Sequence, residues 1–185
     1  MSQAAHHALA DAQFFRKELV AFFVAAERAV ELNPNNSDVL SSLGNRMSYA
    51  AEWNPTVGER VGKGAEGLQM VKKAMALNPY HPGWYYFPLA ADHYLKREYE
   101  ETLTEIQKIN MPDFYWTQIY LVAANGQMGH AGRAQEAINE LLELRPEFLD
   151  EPRAPFVQWN MPDNVIDAFM DGLRKAGLEI LDQPP

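Results

Sequence analysis

The chain has 185 residues, 47% apolar and 22% charged, which places it with chains that bury a core and excludes an intrinsically disordered composition. With 25 acidic against 16 basic residues the net charge is −9 and the cations are scattered, so a nucleic-acid backbone or an anionic membrane surface is excluded as a partner. The absence of cysteine excludes disulfides, thiolate metal sites and thiol nucleophiles.

The start, Met1-Ser2-Gln3-Ala4-Ala5-His6-His7, has no basic n-region followed by an apolar h-region. No apolar run approaches the roughly 20 residues of a membrane span, and a cytoplasmic location is the expectation. Proline punctuates the chain. Leu32-Asn33-Pro34, Leu77-Asn78-Pro79 and Leu144-Arg145-Pro146 each close an apolar-periodic stretch, because proline lacks the amide proton that a continuing helix needs. These stops lie 45 and 67 residues apart. That spacing reads as a period of about 34 residues carrying one insertion near 54–64.

Taken in order, the first unit sets His6-x2-Leu9-Ala10 before Phe22-x3-Ala26-x2-Ala29. The second sets Leu40-x2-Leu43-Gly44-x2-Met47 before Gly67-x3-Val71-x2-Ala74, with Gly44 in a slot where two helices approach closely. The third pairs Tyr86-x2-Leu89-Ala90 with Thr102-x3-Ile106-x2-Ile109, and the fourth pairs Gln118-x2-Leu121-Val122 and Gly129 with Ala134-x3-Ile138-x2-Leu141. Helix pairs are therefore expected at 3–15 with 18–32, 37–52 with 62–77, 83–95 with 98–109, and 114–128 with 131–144. Beyond them, Asn160-Met161-Pro162-Asp163 starts a helix that spaces Val165, Ile166, Phe169 and Leu173 along one face, and Gly177 stops it. This helix can cover the last apolar face of a repeat array. The first unit has no such cover, so another segment, another domain or a second copy is expected there.

The alternation of large and small residues in four phased units resembles the tetratricopeptide repeat (TPR). The resemblance implies an all-α, right-handed superhelix of about four helix-turn-helix repeats with a C-terminal capping helix. The expected organisation is a single domain over 1–185, with repeats at about 3–36, 37–81, 82–113 and 114–147 and a capping segment at 148–185. His81-Pro82-Gly83-Trp84-Tyr85-Tyr86-Phe87-Pro88, Ile109-Asn110-Met111-Pro112 and Asp171-Gly172-Leu173-Arg174-Lys175-Ala176-Gly177-Leu178 are similar to the TPR region of certain bacterial signalling proteins. Those proteins join it to a class III nucleotidyl cyclase domain or to a winged-helix DNA-binding domain. This resemblance implies a C-terminal interaction or regulatory module and carries no catalytic residue across.

Chemical motifs are weak. Gly62-Lys63-Gly64-Ala65-Glu66-Gly67 matches G-x-G-x-x-G, but Glu52-Trp53-Asn54-Pro55-Thr56 before it does not read as a strand, and Gly58-x3-Gly62-Lys63-Gly64 misses the phosphate-loop spacing. Both read as loop. His7 and Asp11 are four apart on one helix face without a third ligand, His93 reads as a packing residue, and no serine has the setting of a nucleophile. No metal, cofactor or catalytic residue is expected.

Helical spacing assigns Asp11, Asn45, Tyr49, Trp84, Phe87, Tyr94, Trp116 and Tyr120 to the concave face lined by the first helix of each pair. Asn45 lacks the basic companions of a carboxylate clamp. The aromatic members form either a cleft for a partner's apolar groups or part of the core. The expected function is a non-catalytic scaffold that holds a protein or peptide segment, with self-association through the uncovered first unit. The alternative is the regulatory module of a nucleotidyl cyclase or transcription regulator.

Overall fold

The computed structural model describes residues 1–50, 53–54, 56, 59–60 and 62–180. Parts of the insertion expected near 54–64, with Gly58 of the phosphate-loop near-match, lie outside the described residues, as do 51 and 52 and the last five residues of the capping segment.

Four antiparallel helix pairs succeed one another along the chain. Helix α1 (Gln3–Phe15) packs on α2 (Leu19–Leu32), α3 (Ser37–Tyr49) on α4 (Lys63–Leu77), α5 (Phe87–Leu95) on α6 (Tyr99–Ile109) and α7 (Tyr115–Met128) on α8 (Ala131–Leu144). A 3-10 turn, Gly83–Tyr86, leads into α5. After a second 3-10 turn at Pro146–Leu149 come a short helix, α9 (Ala154–Gln158), and α10 (Asp163–Lys175), which packs on α7. The segment between α3 and α4, whose sequence reads as loop, carries a two-residue antiparallel ladder: β1 (Trp53–Asn54) runs against β2 (Glu59–Arg60), with Trp53 opposite Arg60.

Local chemistry explains where the helices begin and end. The Ser2 hydroxyl accepts from the Ala5 amide at 3.3 Å and the Asn36 side chain from the Val39 amide at 3.2 Å, each satisfying a free donor of a first turn. Three of the four hairpins turn alike. The amides of Glu18, Glu98 and His130 each donate to a carbonyl five residues back (Gln13, His93 and Asn125) at 2.9 Å. The residue before each, Lys17, Arg97 or Gly129, takes the left-handed conformation that this helix ending demands. Only the third uses glycine.

Close approach within a pair depends on small residues. A side chain added at Gly44 would meet the Gly67 carbonyl oxygen at 2.6 Å, and one at Gly67 the Gly44 carbonyl oxygen at 2.6 Å. The small residues at this crossing, expected from their slots, let α3 and α4 lie backbone to backbone.

Between pairs, polar groups fix the stacking. Arg46 on α3 is half-buried against α1, its Nε 3.3 Å from Asp11 Oδ1, its Nη1 donating to Ser42 Oγ at 2.6 Å, and its guanidinium above the rings of Phe14 and Phe15. Burial lowers the Arg46 pKa, and the Asp11 charge opposes that shift. Tyr85 Oη donates to Asp38 Oδ1 at 3.0 Å, joining the start of α3 to the turn before α5. Apolar packing gathers into one body around α1–α3, built on Phe14, Phe22, Leu43 and Met47, a larger one spanning α5–α10 that includes Tyr49 of α3, and a small one of Leu40, Ala74 and Tyr85.

Adding bulk at the α3–α4 crossing should therefore cost more than helix propensity returns. Gly67→Val is expected to destabilise by about 1–3 kcal/mol through overpacking. Gly132→Ala, at an open helical position with nothing near the added methyl, should instead stabilise by about 0.5–1 kcal/mol. Thermal unfolding followed by helical circular dichroism measures both.

Candidate functional site: an aromatic cavity on the concave face

The cavity is assembled from turns as much as from helices. Gly83 lies against the Ile109 carbonyl, so the turn Gly83–Tyr86 nests on the end of α6 and presents Trp84 and Phe87 inward. Asn110 ends α6 in the left-handed conformation, and two side chains of α7 hold the turn after it. Thr117 Oγ1 donates to the Met111 carbonyl at 2.9 Å and Gln118 Nε2 to the Pro112 carbonyl at 3.0 Å, which fixes Met111, Phe114 and Trp116 beside one another.

The opposite wall comes from the C-terminal segment. Trp159 packs on both of the larger apolar bodies. Its ring lies 5.8 Å from Phe15, 5.9 Å from Tyr49 and 6.1 Å from Phe14. Asn160, at a φ of 55°, turns the chain there and donates from Nδ2 to the Phe14 carbonyl at 2.8 Å. Residues C-terminal to the fourth helix pair thus cross the concave face and fasten onto the first.

What remains open is a cavity of about 260 Å³ lined by Asn45, Tyr49, Trp84, Phe87, Met111, Phe114, Trp116, Trp159 and Met161. Six of these nine are aromatic. Phe87 meets Phe114 edge-on at 5.7 Å, and Trp116 meets Phe156 edge-on at 4.9 Å behind the wall. Asn45 is the single lining residue with a carboxamide or charge, and its Oδ1 is buried without a hydrogen-bond partner.

Of the residues assigned to the concave face by spacing, Asn45, Tyr49, Trp84, Phe87 and Trp116 converge on this cavity. Tyr94 and Tyr120 do not, because α10 lies over them. Tyr94 stacks on Phe169 at 4.3 Å and its hydroxyl donates to the Ala168 carbonyl at 2.9 Å, while Tyr120 meets Phe169 edge-on at 5.1 Å. Gly126 and Gly172 let α10 approach this closely, since a side chain at either would strike backbone of the facing helix. Asp11 is likewise absent from the wall, being held by Arg46 and, at 3.7 Å, by His7. Spacing alone missed Met111, Phe114, Trp159 and Met161. The aromatic run Phe114-Tyr115-Trp116 was a visible signal for one of them, whereas Trp159 has no periodic context.

The glycine run at 62–67 comes after a strand, contrary to the sequence reading, but among the described residues β2 pairs only with its hairpin partner. Gly67 is committed to the Gly44 crossing, and Lys63 is ion-paired with Glu27 and Glu66. Among the described residues no cluster of three or more His, Asp or Glu side chains is placed to hold a metal ion. No helix among them is long and apolar enough to cross a membrane.

No family model and no curated protein matches the sequence. Among solved structures, the crystal structure of the MamA protein is similar, with a TM-score of 0.57 at 17% identity, covering 98% of this chain and 98% of that one. The likeness is one of fold, an all-α TPR-like solenoid extending over nearly the whole length.

Two buried phenols give this fold an alkaline limit. Burial, and then the hydrogen bond to Asp38, push Tyr85 up to about 12, and burial also raises Tyr94 well above its ordinary value. An unfolded tyrosine titrates near 10. Folding therefore retains protons that the unfolded chain gives up, and the associated stability is complete below about pH 10 and falls as pH rises above it. Denaturant midpoints should drop between about pH 10 and 11.5. Tyr94→Phe should flatten that fall while costing about 1 kcal/mol at neutral pH for the lost bond to Ala168.

Proposed function

We propose that the chain is a non-catalytic interaction scaffold that holds a segment of a partner protein on its concave face, with one apolar side chain of that segment anchored in the aromatic cavity. The supporting observation is the cavity's composition and place: six aromatic side chains converge where α3, α5 and α7 face the same space. Deep pockets lined by aromatic groups are where a few partner side chains supply most of the binding energy. The C-terminal segment crosses the same face. A partner would accordingly engage through one anchor residue and its immediate neighbours, and would not lie along the full length of the superhelix.

Selection of displayed random peptides on the purified chain tests this reading. Enriched peptides should share one bulky apolar or aromatic position. Phe114→Ala should weaken them by about tenfold or more, in the range of a hot-spot truncation, with most of the thermal stability retained. Peptides without such a position, or peptides indifferent to Phe114→Ala, would place binding elsewhere.

The first helix pair favours a second reading. The surface of α2 exposes Val20 and Val24 at 82% and 65%, and Val24 lies beside Leu9 of α1. Such a face suits contact with another folded body, as in the regulatory module of a nucleotidyl cyclase or transcription regulator. Sedimentation of the native chain beside Val24→Glu distinguishes the choices. Self-association abolished by the substitution makes that body a second copy, and a monomer in both leaves a separate effector unit.

A further inference from the structure

We propose that the exposed strip of α2 is the contact between two copies of this chain, paired antiparallel about a two-fold axis at Val24. This inference rests on the second reading above, in which the face meets another folded body, and it names that body.

Two observations carry it and a third bounds it. The first is apolar exposure. Val20 and Val24 stand one helical turn apart on α2 and are 82% and 65% exposed. A β-branched residue at an exposed helical position gives up helix propensity and gains no burial, unless something else covers it. Val24 also borders a groove between α1 and α2, together with Leu9 of α1, itself 39% exposed.

The second is where the charges stand. On the α2 side Ala21, Val24, Arg28 and Glu31 line that groove. Glu31 comes seven residues after Val24, and Lys17, exposed in the turn that leads into α2, comes seven residues before it. Lys17 has no carboxylate partner among the described residues. An antiparallel pairing with Val24 on the axis therefore sets Lys17 of each copy opposite Glu31 of the other, and Val20 under the aliphatic stem of Arg28. A parallel pairing would set Lys17 on Lys17 and Glu31 on Glu31. The strip is complementary to itself in one orientation, which is what an isologous contact requires. Within each copy Arg28 already holds Glu31 at 2.7 Å, and a carboxylate has acceptor sites for a second cation without losing the first.

The third is size. Helix α2 has 14 residues and is about 21 Å long, so a strip one helix wide covers less than the roughly 800 Å² per copy of a standard interface. The contact is accordingly weak and reversible. Its valines supply the affinity, and its exposed charges set the orientation.

The chain lacks cysteine, so a single introduced thiol reports the register. Val24→Cys brings two thiols together on the axis, within reach of a disulfide, whereas Val20→Cys sets them about 12 Å apart along the pair. Random collision would favour Val20→Cys, the more exposed site. The pairing instead predicts that Val24→Cys oxidises to the linked dimer at least about tenfold faster. In sedimentation of the full chain at low ionic strength, the native protein should self-associate as its concentration rises. Lys17→Glu and Glu31→Lys should each weaken that association by about tenfold, and an equimolar mixture of the two should recover it, because the mixed pair restores opposite charges at both ends. Each substituted position is exposed, so the fold is retained. A native chain that stays monomeric at the highest attainable concentration overturns this pairing and leaves the face to a separate body. Self-association indifferent to Val24→Glu removes α2 as the contacting face, and the second reading with it. An equal or faster rate for Val20→Cys, or a mixture that fails to recover, overturns the antiparallel arrangement while leaving the face as a contact surface.

Discussion

The shape of this molecule depends on the seating of Trp159. A repeat array in which each unit touches only its neighbours has no reason to bring its last residues to its first, and its concave face is open along its whole length. Here the indole ring lies against Phe14, Phe15 and Tyr49, and the next residue, Asn160, donates to the Phe14 carbonyl. The two larger apolar bodies both pack on this one side chain. The contact spans the array and converts an open trough into a bounded cavity.

The crossing closes one side of the cavity, and the turns held by Gly83, Thr117 and Gln118 build the other. Three of the hairpin turns recur because Lys17, Arg97 and Gly129 all accept the left-handed conformation. The glycine contact at Gly44 with Gly67 draws α3 against α4, and that at Gly126 with Gly172 lets α10 settle on α7. Once α10 is seated, Phe169 covers Tyr94 and Tyr120, and the aromatic face divides into a part packed under α10 and a part that lines the cavity. Asn45 is the one carboxamide among the residues that line the cavity.

The helix pairs were legible in the sequence because each depends on local rules: proline stops, small residues at crossings, and apolar spacing on one face. Gly44 announced its role by its slot, and Pro162-Asp163 announced α10. The covering of Tyr94 and Tyr120 was not legible, since helical spacing says which residues share a face but not which later segment comes to lie upon it. Asp11 illustrates the same limit. Its spacing to His7 is visible in the sequence, whereas its tighter partner, Arg46, comes from another helix pair. The segment carrying Phe148, Phe156 and Trp159 has neither helical nor strand periodicity, and only tertiary packing gives those residues their positions. The two-residue ladder at Trp53–Asn54 and Glu59–Arg60 is too short to leave a periodic signal.

A fold built this way encloses one bounded aromatic cavity where an open superhelix would present a long trough, and the segment that closes it supplies Trp159 and Met161 of the lining. The measurement that bears most directly on this account is the set of interproton NOEs from the Trp159 indole ring in the full chain. Contacts to the ring protons of Phe14, Phe15 and Tyr49 are the expected result. A Trp159 ring with cross-peaks only to its own segment would contradict the account, leaving the concave face open and the cavity without its far wall.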